Sequence, residues 1–457
     1  MDAFPPAEHS IPARKVGGWK LAIEYFFVAT IVAGIGYVVY FYINNLYLPQ
    51  PFFYEPSGVF MDWYSLSYYG NHPGAYNVAG TIYPPLSFVI MKFASASACY
   101  QSTTGELSRA CDPWGVVALI SGLLLNVVLT FLTFRKLDRA TAFPRAFALG
   151  LGLPMLYAFE RGNMILFTYT CVLLGFGPLL KSARLRWLFA GAAINFKVYL
   201  IGAALAPLLH RRWMQTEGIL LSMVLVYLGT WAILGEGSPN QIIENVTFYG
   251  KTFGASRILD MWYPSSFIPA ISLLKGTYFP ISTLLDSRVS DALLVVCLIL
   301  QHSAQLMILL AAAAIWLRPE AVPRHRSVFF AIAMALATSE AGGYTQIILL
   351  LFVFMERWRG IALPTAIIIA YLLCIPAEWV VAKVPPMVRW SYLANRDIIA
   401  TYGVGVFAIL RPILGIFIIW LLSAVTIRDV WSDYRKRGVK PRLRPAPHVQ
   451  LPPAAAS

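Results

Sequence analysis

Five groups of polar residues interrupt an otherwise apolar chain, and each carries side chains suited to acid–base or phosphate chemistry. The first is Asp62, in GVFMDWYSLSYYG. A carboxylate between methionine and tryptophan near an interface can be partly desolvated, which raises its pKa and suits a general base. The same residue could instead cap a short helix. Further on, Tyr83-Pro84-Pro85 fixes an extended turn that is either architectural or the floor of a site. The second group is Glu160-Arg161-Gly162-Asn163, set between two apolar segments with almost no loop. The Arg161 guanidinium offers a planar fork of donors matched to a phosphate. Glu160 could hold that arginine, Gly162 allows close approach, and Asn163 can cap the next helix. Alternatively, Glu160 and Arg161 neutralise each other at a tight interfacial turn.

The third group, Asn195, Lys197 and Tyr199, lies inside an apolar segment. A lysine there is costly unless it snorkels, pairs or faces a cavity. A lipid phosphate or an acidic partner would satisfy it, with Tyr199 orienting the ammonium. The fourth is NVTFYGKTFGASRILDMWYPSS, in which Arg257, Trp262 and Tyr263 suit sugar and phosphate contact, although any one of them could be structural. The fifth, SEAGGYTQ, offers Glu340 as a second acid–base or metal-site residue and Gln346 as a hydrogen-bonding partner for a sugar hydroxyl. Its glycines also fit a tight turn between closely packed helices.

The elements that must position these residues are membrane helices. The chain is 58% hydrophobic and only 13% charged, against roughly 45–50% and 25% in soluble domains. The net charge of +14 comes from short basic clusters beside apolar runs, among them Arg135/Lys136/Arg139, Lys181/Arg184/Arg186, Arg211/Arg212 and Arg324/Arg326. That is the distribution of loops facing anionic lipid, and a nucleic-acid partner is excluded because no folded basic domain is present. No Walker loop, dinucleotide fingerprint or CxxC pair occurs. Cys99 and Cys111 share one loop and could form a disulfide in an oxidising compartment.

The fold class expected is all-α: a polytopic integral membrane protein of about 10–12 spans with re-entrant or interfacial pieces. A short N-terminal segment (1–18) precedes a membrane domain (19–427) and a basic, disordered tail (428–457). Non-spanning stretches cover 44–113, 237–290 and 383–400. If the N-terminus is cytoplasmic, a single pass at 187–209 would put Arg211 and Arg212 on the wrong side and invert every later cluster. The segment is therefore expected to be broken and to return to its starting side, as discontinuous helices do where they line a cavity. All three long loops then share the outer face.

The order of these pieces resembles the GT-C superfamily of membrane glycosyltransferases. It is most similar to family 87 (the DUF2029 group), which contains bacterial polyprenyl-phosphate-mannose-dependent α-mannosyltransferases. The matching stretches are the first-loop Asp62, TIYPPLSF, FERGNMILFTYTCVLLGF, INFKVYLIG and SEAGGYTQIILLLFVFME. The resemblance implies an inverting hexosyltransferase, mannose favoured, that takes a polyprenyl-phosphate sugar as donor and glycosylates a glycolipid or surface glycan. The plasma (inner) membrane would hold it, with the reaction on the extracytoplasmic side. It implies Asp62 as base, with Arg161, Lys197 and Arg257 as phosphate contacts and no obligatory metal or cofactor. Other readings are a transporter or flippase for a lipid-linked glycan, or a polysaccharide polymerase or ligase.

Overall fold

The computed structural model describes residues 18–101, 105–256, 262–275, 286–383 and 385–438. It is a multi-pass bundle of α-helices. The first half comprises α1 (Gly18–Asn45), α2 (Met61–Asn71), α3 (Pro85–Ala94), α4 (Gly105–Cys111), α5 (Trp114–Leu137), α6 (Ala142–Leu151), α7 (Leu153–Arg161), α8 (Ile165–Phe176) and α9 (Ala183–Phe196). The second half comprises α10 (Gly202–Leu209), α11 (Trp213–Leu234), α12 (Pro239–Ser256), α13 (Ile268–Lys275), α14 (Ser287–Leu317), α15 (Arg324–Leu336), α16 (Gln346–Phe354), α17 (Ala362–Leu373) and α18 (Phe407–Arg437). Among the described residues, six helical stretches are long and apolar enough to cross a membrane: α1, α5, α6 with α7, α11, α14 and α18. Five further apolar stretches are shorter. A 12-residue helix such as α8 or α17 rises only about 18 Å, less than the ~30 Å hydrocarbon core. Such helices are packed inside the bundle instead, where α8, α16 and α17 bury most of their side chains.

The 187–209 segment is broken, as charge parity required. α9 ends at Phe196, Lys197 takes an extended conformation (φ −140°), and a 3-10 turn, Val198–Ile201, leads into α10. α9 and α11 then run parallel: Trp187 packs on Gly218, Gly191 on Ser222 and Met223, and the Asn195 amide donates to the Met223 carbonyl at 2.9 Å. With α9 and α11 parallel, α10 must run back between them. The 183–209 stretch is thus a hairpin with Lys197 at its tip.

The basic clusters gather on the face from which this hairpin starts. Arg145 pairs with Glu24 at 2.8 Å, Arg326 with Glu356 at 2.7 Å and Arg359 with Asp429 at 2.6 Å. Lys136 reaches the Leu179 carbonyl and Arg211 the Trp316 carbonyl. Arg318 donates to the Gly438 carbonyl. The last contact belongs to a correction: α18 continues to Arg437, so the beginning of the stretch expected to be a disordered tail is helical. Its Asp429 answers Arg326 and Arg359, and an i,i+4 pair joins Asp433 to Arg437.

The three long loops meet on the opposite face, and they are more ordered than their composition suggests. The 44–113 stretch contains α2, α3 and α4, and 237–290 contains α12 and α13. The region around 383–400 forms two antiparallel ladders, Met387–Ser391 (β2) with Arg396–Ala400 (β3), and Val380–Lys383 (β1) with Gly403–Gly405 (β4). Ser391 donates to the Leu46 carbonyl and Trp262 to that of Phe52, both at 2.7 Å. Glu236 accepts from the Gly74 amide and Asn245 donates to Tyr76. Cys99 and Cys111 are disulfide-bonded, with Cα atoms 5.6 Å apart.

Candidate functional site

The site is assembled where α7 stops. Arg161 is its last residue, and Gly162 closes it in the left-handed conformation (φ +68°). A side chain there would be strained, and its Cβ would come within 2.9 Å of the Phe60 carbonyl oxygen and 3.0 Å of Trp63. Asn163 follows, its side-chain oxygen accepting from the Ile165 amide at 3.0 Å to cap α8. Across this corner lies the start of α2. Phe60 holds a left-handed conformation (φ 62°) and donates its amide to the Glu160 carbonyl at 2.7 Å. It places Asp62, in the first turn of α2, against the end of α7.

Asp62, Arg161, Asn163, Tyr83 and Lys197 form one continuous hydrogen-bonded network. Arg161 donates to Asp62 Oδ1 through Nη2 and to the Gly58 carbonyl through Nη1, the latter at 3.1 Å. Its guanidinium carbon lies over Phe53, 3.7 Å from the ring centroid. Asn163 Nδ2 donates to Asp62 Oδ2 at 2.6 Å and to the Tyr83 hydroxyl at 3.2 Å. Lys197 Nζ reaches the same hydroxyl at 2.9 Å and sits 4.3 Å from the Tyr83 ring centroid and 5.5 Å from that of Tyr344. Burial, then Tyr344 and Asp62 nearby, push the Tyr83 phenol well above its ordinary pKa, so it keeps its proton while accepting two bonds. Lys197 and Asn163 are buried, whereas the Asp62 side chain is 23% exposed. Asp62, Arg161 and Tyr83 are thus the partly exposed members of the network.

Three residues expected to act here sit differently. Glu160 does not hold Arg161, which pairs with Asp62 instead. Its carboxyl is buried, with Oε2 unpartnered, beside a small cavity lined by Phe53, Pro56, Val59 and Ser391. Glu340 is not part of the network around Asp62. Its two oxygens accept from the amides and hydroxyls of Ser265 and Ser266 and from the Gly342 amide, at 2.7–3.0 Å. Five donors make it the pin joining the 262–275 segment to the turn before α16. Gln346 stands just beyond that pin, its amide 3.4 Å from the Pro264 carbonyl and its Oε1 buried without a partner beside an apolar pocket among α14–α18.

Trp262 and Tyr263 lie in a supporting layer. Trp262 is bonded to Phe52 and packs on Tyr54 and Tyr402. The Tyr263 carbonyl accepts from Gly343 at 2.8 Å, and its ring meets Tyr157, which also stacks on Tyr344. Tyr199 lies beside Tyr344, its hydroxyl buried without a partner. Arg257 falls outside the described residues. Among the described residues, no cluster of three or more His, Cys, Asp or Glu side chains forms a metal site.

Two contributors carried little sequence signal. Tyr344 was one residue of a glycine-marked turn, yet it faces Lys197. Arg109 stands in no motif of the sequence. It donates to the carbonyls of Ser57 and Val59 and lies 3.7 Å over the Tyr392 ring, pinning the loop that leads into Asp62. Only the folded path of 44–113 brings it there. Compared with family models, curated proteins and solved structures, the chain matches none.

Proposed function

We propose that this multi-pass membrane protein is an inverting glycosyltransferase that moves a hexose, mannose favoured, from a polyprenyl-phosphate sugar to a glycolipid or surface glycan. The reaction would take place on the extracytoplasmic side of the plasma membrane. The observation that carries this reading is a partly exposed carboxylate, Asp62, bonded to Arg161 and joined through Asn163 and Tyr83 to Lys197 in one network. In this reading Asp62 takes the proton of an acceptor hydroxyl as its oxygen attacks the anomeric carbon. The bond to the phosphate breaks on the opposite face, so configuration inverts. The departing phosphate gains charge and needs electrostatic stabilisation more than a proton. Arg161 and Lys197 would supply it, and Asn163 keeps Asp62 aligned for the acceptor.

The test is transfer of labelled mannose from polyprenyl-phosphate mannose to extracted acceptor lipids in membranes containing the protein. Asp62→Asn keeps the shape and one acceptor oxygen, and should lower transfer by about 10²–10⁴-fold while the protein remains folded. Full activity in that variant would remove the proposed base. Equal transfer from a nucleotide sugar without polyprenyl phosphate would remove the lipid donor.

A further inference from the structure

The strands between α17 and α18 carry large apolar side chains on a face that nothing in the chain covers. In the β2–β3 hairpin, Val388 and Ile399 are direct cross-strand partners, and Trp390 lies two residues on. Cross-strand partners and alternate residues of a strand share one face, so these three side chains form a single patch. Val388 and Ile399 are 67% and 69% exposed, and Trp390 is 46% exposed. Asp397, the partner of Trp390, ends the patch and is also exposed. Trp379 and Val381, just before and within β1, are exposed as well. Antiparallel strands with one face in water ordinarily turn polar residues outward. Here the buried face holds Ser391, Ile398 and Ala400, while tryptophan, valine and isoleucine point out.

The position of the hairpin indicates what covers this face. Its base is tied to α18. Gly405, the end of β4, is two residues before Phe407, where α18 begins, and the Val406 amide donates to the Trp379 carbonyl at 2.9 Å. From Phe407 to Ile427, α18 rises about 30 Å, the thickness of the hydrocarbon core, before Arg428 opens its basic end. Arg411, one turn in, is buried and paired with Glu378 at 2.9 Å. Phe407 therefore marks one edge of the hydrocarbon. The tip of the hairpin is tied to α1. The Tyr42 hydroxyl donates to the Leu393 carbonyl at 3.2 Å, and Ser391 donates to the Leu46 carbonyl at 2.7 Å. Tyr42 is about 36 Å along α1 from Gly18, near the same edge, and α1 exposes Tyr40 and Ile43 beside it. A strand pair pinned at both ends to the edges of two spans lies along the bilayer surface. Its buried side and turn hold the chain that leads to Asp62: Tyr392 donates its amide to the Pro56 carbonyl at 3.2 Å, Arg389 pairs with Glu55 at 3.6 Å, and the Tyr392 ring meets Phe60.

We infer that the Val388–Trp390–Ile399 face, with Trp379 and Val381, rests in the interfacial layer of the leaflet opposite the basic clusters, and that the lipid surface thereby holds the 46–60 loop in place. Tryptophan and aliphatic side chains are suited to that layer. The patch carries no cation and ends in Asp397, so the contact is apolar and a zwitterionic leaflet suffices. The lipid-exposed side of α1 continues into it. The inference does not rest on the proposed transferase activity, because depth is read without turnover.

The experiment places an environment-sensitive fluorophore on the full chain in phosphatidylcholine nanodiscs. Cys297→Ser is the background, because the other thiols are buried (Cys171, Cys374) or bonded (Cys99 to Cys111). Val388→Cys and Ile399→Cys are labelled separately, with Trp390→Cys in reserve should either fail to reach the Tm of the parent. Tyr40→Cys on α1 is the lipid reference, and Lys436→Cys, exposed in the last turn of α18, is the aqueous one. The hairpin labels should emit to the blue of the Lys436 label. They should lose more intensity to phosphatidylcholine bearing a nitroxide near its headgroup than to one bearing it at the chain end or to aqueous iodide. Hairpin labels that emit like the Lys436 label and yield to iodide would put the face in water and overturn the inference. Protection from every quencher would mean that protein, such as a second copy of the chain, covers the face, and would overturn it as well.

Discussion

The Tyr83 hydroxyl is the bridge between the two halves of the candidate site, so removing it tests whether they are one network. Tyr83→Phe keeps the ring over which Lys197 sits and deletes only the oxygen that accepts from Lys197 at 2.9 Å and Asn163 at 3.2 Å. A hydrogen bond to a charged group contributes about 1.5–3 kcal/mol, and a neutral one about 0.5–1.5 kcal/mol. The variant should therefore lose about 2–4 kcal/mol, most of it because the buried Lys197 amine is left without its acceptor. In a Lys197→Met background that amine is gone, and the same substitution should cost only about 1 kcal/mol, for the Asn163 bond. The predicted coupling energy is thus about 1–3 kcal/mol. Equilibrium unfolding of parent, single and double variants in mixed micelles measures it. Additivity within about 0.5 kcal/mol would refute the argument, because it would mean that Lys197 and Tyr83 do not interact in the folded protein.

Gly162→Ala should destabilise the α7–α8 corner by about 2 kcal/mol or more, combining a left-handed backbone with a Cβ pressed against Phe60 and Trp63. It should also reduce transfer, since Asp62 and Arg161 meet across that corner; unchanged stability would contradict the packing. Replacing Cys99 and Cys111 by serine removes a cross-link of sequence separation 12 and should cost about 3 kcal/mol, with protease sensitivity rising first within 95–113. The His210 pKa, depressed to about 4 by burial and by Arg324 and Arg212, gives a pH signature. A neutral folded histidine that charges when unfolded contributes stability above the unfolded value of about 6.5, and this is lost as pH falls toward 4. In anion-free detergent, His210→Gln should flatten stability between pH 6.5 and 4, and a parallel profile would refute the assignment.

What the sequence determined by itself is what apolar content and charge order can encode. Long runs of apolar residues require membrane helices, and the position of Arg211 and Arg212 required the 187–209 segment to turn back; the parallel packing of α9 and α11 shows that it does. Asp62, the Glu160–Asn163 corner and Lys197 stood out because polar groups are costly in such surroundings. Their partners did not stand out. Glu160 is next to Arg161 in the chain, yet a helix end directs the guanidinium away to Asp62, 99 residues earlier. Glu340 looked as reactive as Asp62, but two serines on a distant segment saturate it, and nothing in SEAGGYTQ reveals them. Arg109 and Tyr344 were invisible for the same reason. Burial cost is local and legible residue by residue, whereas the donor that offsets it is chosen by how loops separated by hundreds of residues fold onto one face.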